Sequence, residues 1–258
     1  MGTFLLILGA NMASTAVSLS LAAILGFRFL AGLVDRLVHM SIGLLLATGL
    51  THLLPEAMAR GIPPARLGWT LLLGILALFV LEKSTLIHHT HHHEGDVHHH
   101  EHGHDAKEAG RGAYPVLVGD AFHNFGDGVV IAAAFLVDVH AGLLTAMAVM
   151  AHEIPHEIGD FMILLNAGFS RRRAFGFMLL SGSAAVLGGA IGFFVLDRLQ
   201  ALMPYALVLA AASFVYIALS DLLPELMRRS SLRRTLPDVG LVLLGVVIAV
   251  AAASLDTN

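Results

Sequence analysis

Eight stretches of roughly 20 apolar residues, each almost free of charge, follow one another along this chain, and each as a helix is long enough to cross a hydrocarbon core of about 30 Å. They fall at roughly 3–26, 37–58, 68–88, 113–137, 140–166, 173–197, 201–227 and 236–255. All should be helical, because a lone strand facing lipid cannot satisfy its own backbone groups. Gly61, Pro63 and Pro64 break the chain after the second block, and Pro204 and Pro237 are expected to open the seventh and eighth. The blocks leave no room for a separate soluble domain. The expectation is therefore an all-α polytopic membrane protein, one transmembrane domain over residues 1–258 with eight transmembrane helices.

Composition supports this. Apolar residues make up 57% and charged residues 13% of the 258, against about 45–50% and about 25% in a soluble domain. An ordinary soluble enzyme and a nucleic-acid binder are excluded. The chain has no cysteine, so disulfides, thiolate metal sites and cysteine nucleophiles are excluded as well. The net charge of −4 points to no partner. With no basic region and no small-residue cleavage site at the start, the first block reads as a retained span.

The basic residues are unevenly placed. Connections after helices 1, 3, 5 and 7 hold Arg28, Arg36, Lys83, Lys107, Arg111, Arg171, Arg172, Arg173, Arg228, Arg229, Arg233 and Arg234; those after helices 2, 4 and 6 hold only Arg60, Arg66 and Arg198. The positive-inside rule then puts both termini outside, in the periplasm if the membrane is a bacterial inner (plasma) membrane. Helix 2 ends Thr51-His52-Leu53-Leu54-Pro55-Glu56-Ala57-Met58 and helix 7 ends Ser220-Asp221-Leu222-Leu223-Pro224-Glu225-Leu226-Met227. Two related helices that cross in opposite senses suggest an inverted repeat, pairing helices 1–3 with 6–8 around 4 and 5 in a 3+2+3 arrangement.

Helices 4 and 5 carry the polar residues that matter most. His123, Asn124 and Asp127 lie on helix 4, and His152, Glu153, His156, Glu157 and Asp160 on helix 5. A charge at such depth costs at least about 2.5–3.5 kcal/mol. His123 and Asp127 share a helical face, as do His152 and His156, and the short connection near Asp138 makes the two helices antiparallel neighbours. Imidazoles facing carboxylates without thiolates suit Zn²⁺, with Fe²⁺, Mn²⁺, Cd²⁺ and Co²⁺ also feasible, and the metal's charge would offset the buried acids. Pro155 cannot donate to the Ala151 carbonyl, which should bend the helix and free an oxygen near the site. Gly126, Gly128 and Gly159 are expected to admit a close approach of backbone or ion.

His152-Glu153-Ile154-Pro155-His156 also has the spacing of an intramembrane zinc metalloprotease, with His152 and His156 as ligands and Glu153 as general base. The proline between the histidines and the facing ligand set on helix 4 weigh against it, since together they close the coordination shell. His52, Glu56, Asp160, Asp221 and Glu225 are candidates for a polar pathway across the membrane, although Glu56 and Glu225 equally suit interfacial positions. The connection 88–112 holds ten of the sixteen histidines, among them His91, His92, His93, His98, His99, His100, His102 and His104. It should be disordered, cytosolic and able to bind transition metals loosely.

His-Asn-Phe-x-Asp-Gly in helix 4 followed by His-Glu-x-Pro-His-Glu-x-Gly-Asp in helix 5 resembles the ZIP (Zrt-, Irt-like protein) metal transporters over essentially the whole chain. The motifs are most similar to the LIV-1 subfamily, and the compact length resembles a prokaryotic member. The resemblance implies uptake of divalent metal, usually Zn²⁺, into the cytosol, and often a homodimer; the metal is cargo, with no resident cofactor. By position it implies His123, Asn124, Asp127, His152, Glu153 and His156 as the transport site, with Glu157 beside them. Asp127 stands where many relatives have glutamate, His156 replaces the second glutamate of the commoner pattern, and Gly126 replaces a proline. Helix 6 has no acidic residue between Arg173 and Asp197, so it lacks the carboxylate that helps some relatives hold a second metal.

Overall fold

The computed structural model describes residues 1–25, 31–90, 106–224 and 232–254. Among them the chain forms eight helical spans and no strand. These are α1 (Gly2–Leu25), α2 (Ala31–Ala47, continuing through a π-helical stretch Thr48–Leu53 and a last turn Leu54–Ala59), α3 (Pro64–Thr90), α4 (Ala106–Val137), α5 (Val139–Asn166), α6 (Arg171–Arg198), α7 (Met203–Ile217, continuing as a π-helical stretch Ala218–Leu222) and α8 (Leu232–Ser254). Among the described residues six stretches are long and apolar enough to cross a membrane by length and composition: Gly2–Ile24, Arg36–Ala59, Val116–Val137, Arg171–Arg198, Gln200–Ser220 and Leu236–Ala253. Helix α5 is not among them, since it carries His152, Glu153, His156, Glu157 and Asp160. Large apolar side chains such as Leu73, Phe122, Leu180 and Leu243 cover the outside of the bundle, as lipid requires and water does not tolerate.

Two expected boundaries move. Pro237 lies inside α8 and does not open it; it sits within the first two turns and removes only one backbone bond there. The connection expected at 88–112 is shorter, because α3 runs to Thr90 and α4 starts at Ala106. Its histidines from His91 to His104 lie outside the described residues, as does Glu225. Elsewhere the chain reverses tightly. Gly61 and Gly168 take φ of +75° and +87° after α2 and α5, a region that glycine enters without a Cβ clash. Asp138 alone, extended, separates α4 from α5, and its carboxylate accepts from the Ala141 amide at 2.8 Å to cap α5.

Both helices that end in Leu-Leu-Pro-Glu widen in the same place. Proline cannot donate to the carbonyl four residues back, and its ring crowds that carbonyl. In α2 the turn opens so that the Leu54 amide, one residue before Pro55, donates to the Gly49 carbonyl five residues back. In α7 the Leu223 amide, one residue before Pro224, donates to Ala218 in the same way. Helix pairing has the same symmetry: α4 packs on α6 as α5 packs on α1, α2 on α8 as α7 on α3, and α2 on α5 as α7 on α4. The pairing leaves two four-helix sets, α1/α4/α5/α6 and α2/α3/α7/α8.

Each set contains a crossing where backbones nearly touch. A Cβ on Gly128 of α4 would meet the Ala185 carbonyl of α6, and one on Gly188 of α6 would meet the Phe125 carbonyl of α4. Gly43 of α2 and Gly245 of α8 are related in the same way through the Val242 and Met40 carbonyls. Small residues allow such contact between membrane helices. No neighbouring helix approaches Gly126 or Gly159 closely: nothing outside their own helix lies within 4 Å of a Cβ placed on either. Gly128→Val and Gly188→Val should each destabilise the protein by about 1–3 kcal/mol by forcing α4 from α6, whereas Gly159→Ala should be neutral or slightly stabilising. Thermal unfolding of the detergent-solubilised variants checks this, and equal melting temperatures for all three would contradict it.

Candidate metal centre

On α4, Asp120, His123, Asn124 and Asp127 follow at intervals of three and four and so share one face. On α5, His152, Glu153, His156, Glu157 and Asp160 do the same. The one-residue turn at Asp138 folds the helices back antiparallel, and the two faces meet inside the first helix set. Of these nine residues, Asp120, Asn124, Asp127, His152, Glu153, Glu157 and Asp160 are buried.

Four of them converge. His123, Asp127, His152 and Glu153 each offer one ligand atom, all within 4.8 Å of one another. His152 Nε2 lies 3.3 Å from His123 Nε2, 3.2 Å from Asp127 Oδ2 and 3.5 Å from Glu153 Oε1. His123 Nε2 lies 3.1 Å from Glu153 Oε1 and 3.8 Å from Asp127 Oδ2. Four donors around one Zn²⁺ at about 2.0 Å stand about 3.3 Å apart in a tetrahedron, so these separations already approximate its edges. Asp127 Oδ2 and both Glu153 oxygens are buried with no hydrogen-bond partner. His152 Nδ1 is 3.1 Å from the Ala148 carbonyl; since a carbonyl only accepts, a proton sits on Nδ1, and in the neutral ring the Nε2 lone pair faces the cluster. A backbone carbonyl on the far nitrogen is a common way to orient a ligand imidazole.

The remaining predicted residues separate. His156 does not join His152: it groups with Asp160 and with Asp120. With the two histidines assigned to different groups, and Glu153 among the four converging ligands, the two-histidine arrangement of a metalloprotease is not formed. Asn124 uses its amide to donate to the Asp120 carboxylate at 2.9 Å and to the Asp120 carbonyl at 3.1 Å. Glu157 is buried with both oxygens unpartnered and belongs to neither group. Asp120 was missed by motif reading, yet it lies three residues before His123 and seven before Asp127, a spacing that marks the same face.

Two further surroundings were not foreseen. The Ala151 carbonyl that Pro155 leaves without a helical donor faces Ser41 of α2, whose hydroxyl lies 2.7 Å from it and 2.7 Å from the Leu37 carbonyl of its own helix, so that one proton is shared between the two acceptors. Helix α1 turns Asn11, Ser14, Thr15 and Ser18 toward Asn124, Asp127 and Glu153 around a cavity of about 10 Å³, about the space of one water. Of the pathway candidates, His52 is half-buried with Nε2 unpartnered, and Glu56 pairs with Arg60 at 3.0 Å near the end of α2, which fits its interfacial reading. The Asp221 side chain lies outside the described residues.

Residues 84–253 match the family described as ZIP Zinc transporter. Zinc transporter ZIP13 of Pongo abelii is 33% identical over 234 residues, covering 83% of this chain and 65% of the relative. Zinc transporter ZIP6 of Homo sapiens is 40% identical over 119 residues, 46% of this chain and 16% of the relative. Zinc transporter YKE4 of Saccharomyces cerevisiae is 29% identical over 217 residues, 76% of this chain and 62% of the relative. The matches thus span less than two thirds of the length of each of these relatives.

Removing the Ser41 hydroxyl tests how α5 accommodates Pro155. Ser41→Ala removes the hydroxyl from the part-buried Ala151 carbonyl and should cost about 1 kcal/mol, while Ser41→Thr, which keeps the hydroxyl, should cost less. Denaturation in detergent measures both; equal stability of S41A and wild type would refute the role given to Ser41.

Proposed function

The chain belongs to the ZIP zinc transporter family, and on that premise we propose that it carries a divalent transition metal, Zn²⁺ above others, across a membrane into the cytosol. The observation that carries this reading is the near-tetrahedral set of His123 Nε2, His152 Nε2, Asp127 Oδ2 and Glu153 Oε1, unscreened by other donors and enclosed between two spans. A shell closed by four protein ligands suits holding an ion and leaves no position for a reactive water. Fe²⁺, Mn²⁺, Cd²⁺ and Co²⁺ are accommodated by the same ligands. The metal is cargo, and the partners are the ion and the bilayer.

The two helix sets support an alternating-access mechanism. One set carries the metal ligands; the other meets it along α2–α5 and α4–α7. Rigid-body movement of the first set against the second would open the ligands to each side in turn. The matched π-helical turns before Pro55 and Pro224 and the symmetric helix pairing support a 3+2+3 inverted repeat. The bias of lysine and arginine supports both termini outside, in the periplasm of an inner membrane. The histidines of residues 91–104 would collect metal on the cytosolic side, and the assembly would be a homodimer, as the family resemblance implies.

Proteoliposomes loaded with a zinc-sensitive dye test transport. Wild-type protein should admit Zn²⁺, and His152→Ala or Asp127→Asn should lower the flux by at least about tenfold, the scale expected when a metal site is damaged. Gln200→Ala, exposed between α6 and α7, should leave it unchanged. Undiminished flux in both site variants would exclude this centre as the route.

A further inference from the structure

Asp120, His156 and Asp160 form a second group, built from α4 and α5 alone and distinct in composition from the first. Their ligand atoms also lie within 4.8 Å of one another. His156 Nδ1 is 3.5 Å from Asp160 Oδ2 and 3.9 Å from Asp120 Oδ1. A plain hydrogen-bond network would close such contacts to about 2.9 Å; these separations are longer and match those between donors that share one ion. Asp120 Oδ2 and Asp160 Oδ2 are buried and accept no hydrogen bond, although the Asp120 side chain is only 1% exposed. Buried carboxylate oxygens without donors are costly unless something positive meets them.

The two groups differ in closure. In the first, the side chains of Asp127, His152 and Glu153 are at most 4% exposed, and four protein ligands complete a tetrahedron. The second has three protein ligands, and its histidine side chain is 40% exposed, so a fourth position is left for water. Their placement is also ordered. Asp120 precedes Asp127 by two turns of α4, or about 10 Å, and Asp160 follows Glu153 by two turns of α5. The second group is therefore displaced toward the ends of both helices flanked by Lys107, Arg111, Arg171, Arg172 and Arg173, the side that the basic residues mark as cytosolic. Between the groups the His123 and His156 rings stack at 5.2 Å, 23° from parallel.

We propose that Asp120, His156 and Asp160 form a second divalent-metal station, open to water, that receives the ion from the closed four-ligand centre on its way to the cytosol. The transfer is an exchange of coordinate bonds: His156 replaces a ligand of the inner shell, the aspartates follow, and water fills the last position. An ion held by four protein ligands alone leaves slowly, and a weaker neighbouring site gives it a stepwise exit. Asn124, donating to Asp120, positions that carboxylate.

This proposal rests on the transport reading, and the test separates the two. Full-length protein in detergent is titrated with Co²⁺, counting ions bound and following the visible absorption of tetrahedral cobalt, and Zn²⁺ flux is measured in proteoliposomes. Against wild type, which cancels the contribution of the loop histidines, D120N/D160N should bind one Co²⁺ fewer. It should keep the tetrahedral absorption and lose at least about tenfold in flux. The carboxylate-preserving pair D120E/D160E should regain the lost ion. An unchanged cobalt count, wild-type flux in D120N/D160N, or no recovery in D120E/D160E overturns the second station. Absence of wild-type flux, with no cobalt lost in H152A/D127N, would instead remove the transport reading itself.

Discussion

Two imidazoles and two carboxylates converge on one point inside a bundle whose outer surface is apolar, and the rest of the fold is arranged around that convergence. Ionised groups taken out of water forfeit several kcal/mol of hydration each, a deficit that only an opposite charge in good geometry offsets. Among the described residues no other side chain supplies a donor to Asp127 Oδ2 or to Glu153. The imidazoles lie at contact distance, but His152 already spends its one neutral N–H on the Ala148 carbonyl. Separations of 3.1–3.8 Å between the imidazole nitrogens and the carboxylate oxygens suit a small divalent cation held between them. Packing holds the ligands in place beforehand: α4 and α6 touch through glycines, and the Asp138 cap fixes how α5 leaves α4.

Prolines inside spans carry a particular burden, because lipid offers no substitute for a lost backbone bond. At Pro55, Pro155 and Pro224 the lost bond has a substitute within the protein. Before Pro55 and Pro224 the helix widens by one residue and the preceding amide reaches back five positions. At Pro155 the orphaned Ala151 carbonyl is satisfied across the boundary between the helix sets, by Ser41 of α2. That contact joins the metal-bearing set to the other set one turn before Pro155, so movement of one against the other has to break or slide it.

Much of this was legible in one dimension. The eight apolar blocks all became helices, because only helices close their hydrogen bonds in lipid, and six among the described residues are long and apolar enough to cross a membrane. The intervals of three and four gave the shared faces of α4 and α5, and all four converging ligands come from the motifs. What could not be read was the axial offset between the helices. That offset decides that His156 pairs with Asp120 and Asp160 and leaves His152 to Asp127. Asp120 itself was within reach of the same periodicity, but it stands outside the motif that drew attention. The polar face of α1, with Asn11, Ser14 and Ser18 at intervals of four and three, was hidden among small residues that membrane helices use freely for packing. Ser41 lies 110 residues from Ala151, and no local pattern joins them.

The most direct measurement is anomalous scattering from Zn²⁺ in crystals of the full-length protein. The account predicts a peak between α4 and α5, about 2.0–2.1 Å from the Nε2 atoms of His123 and His152 and close to Asp127 and Glu153. Ordered zinc that occupies only other parts of the chain, with those four side chains turned away from a common point, would contradict it.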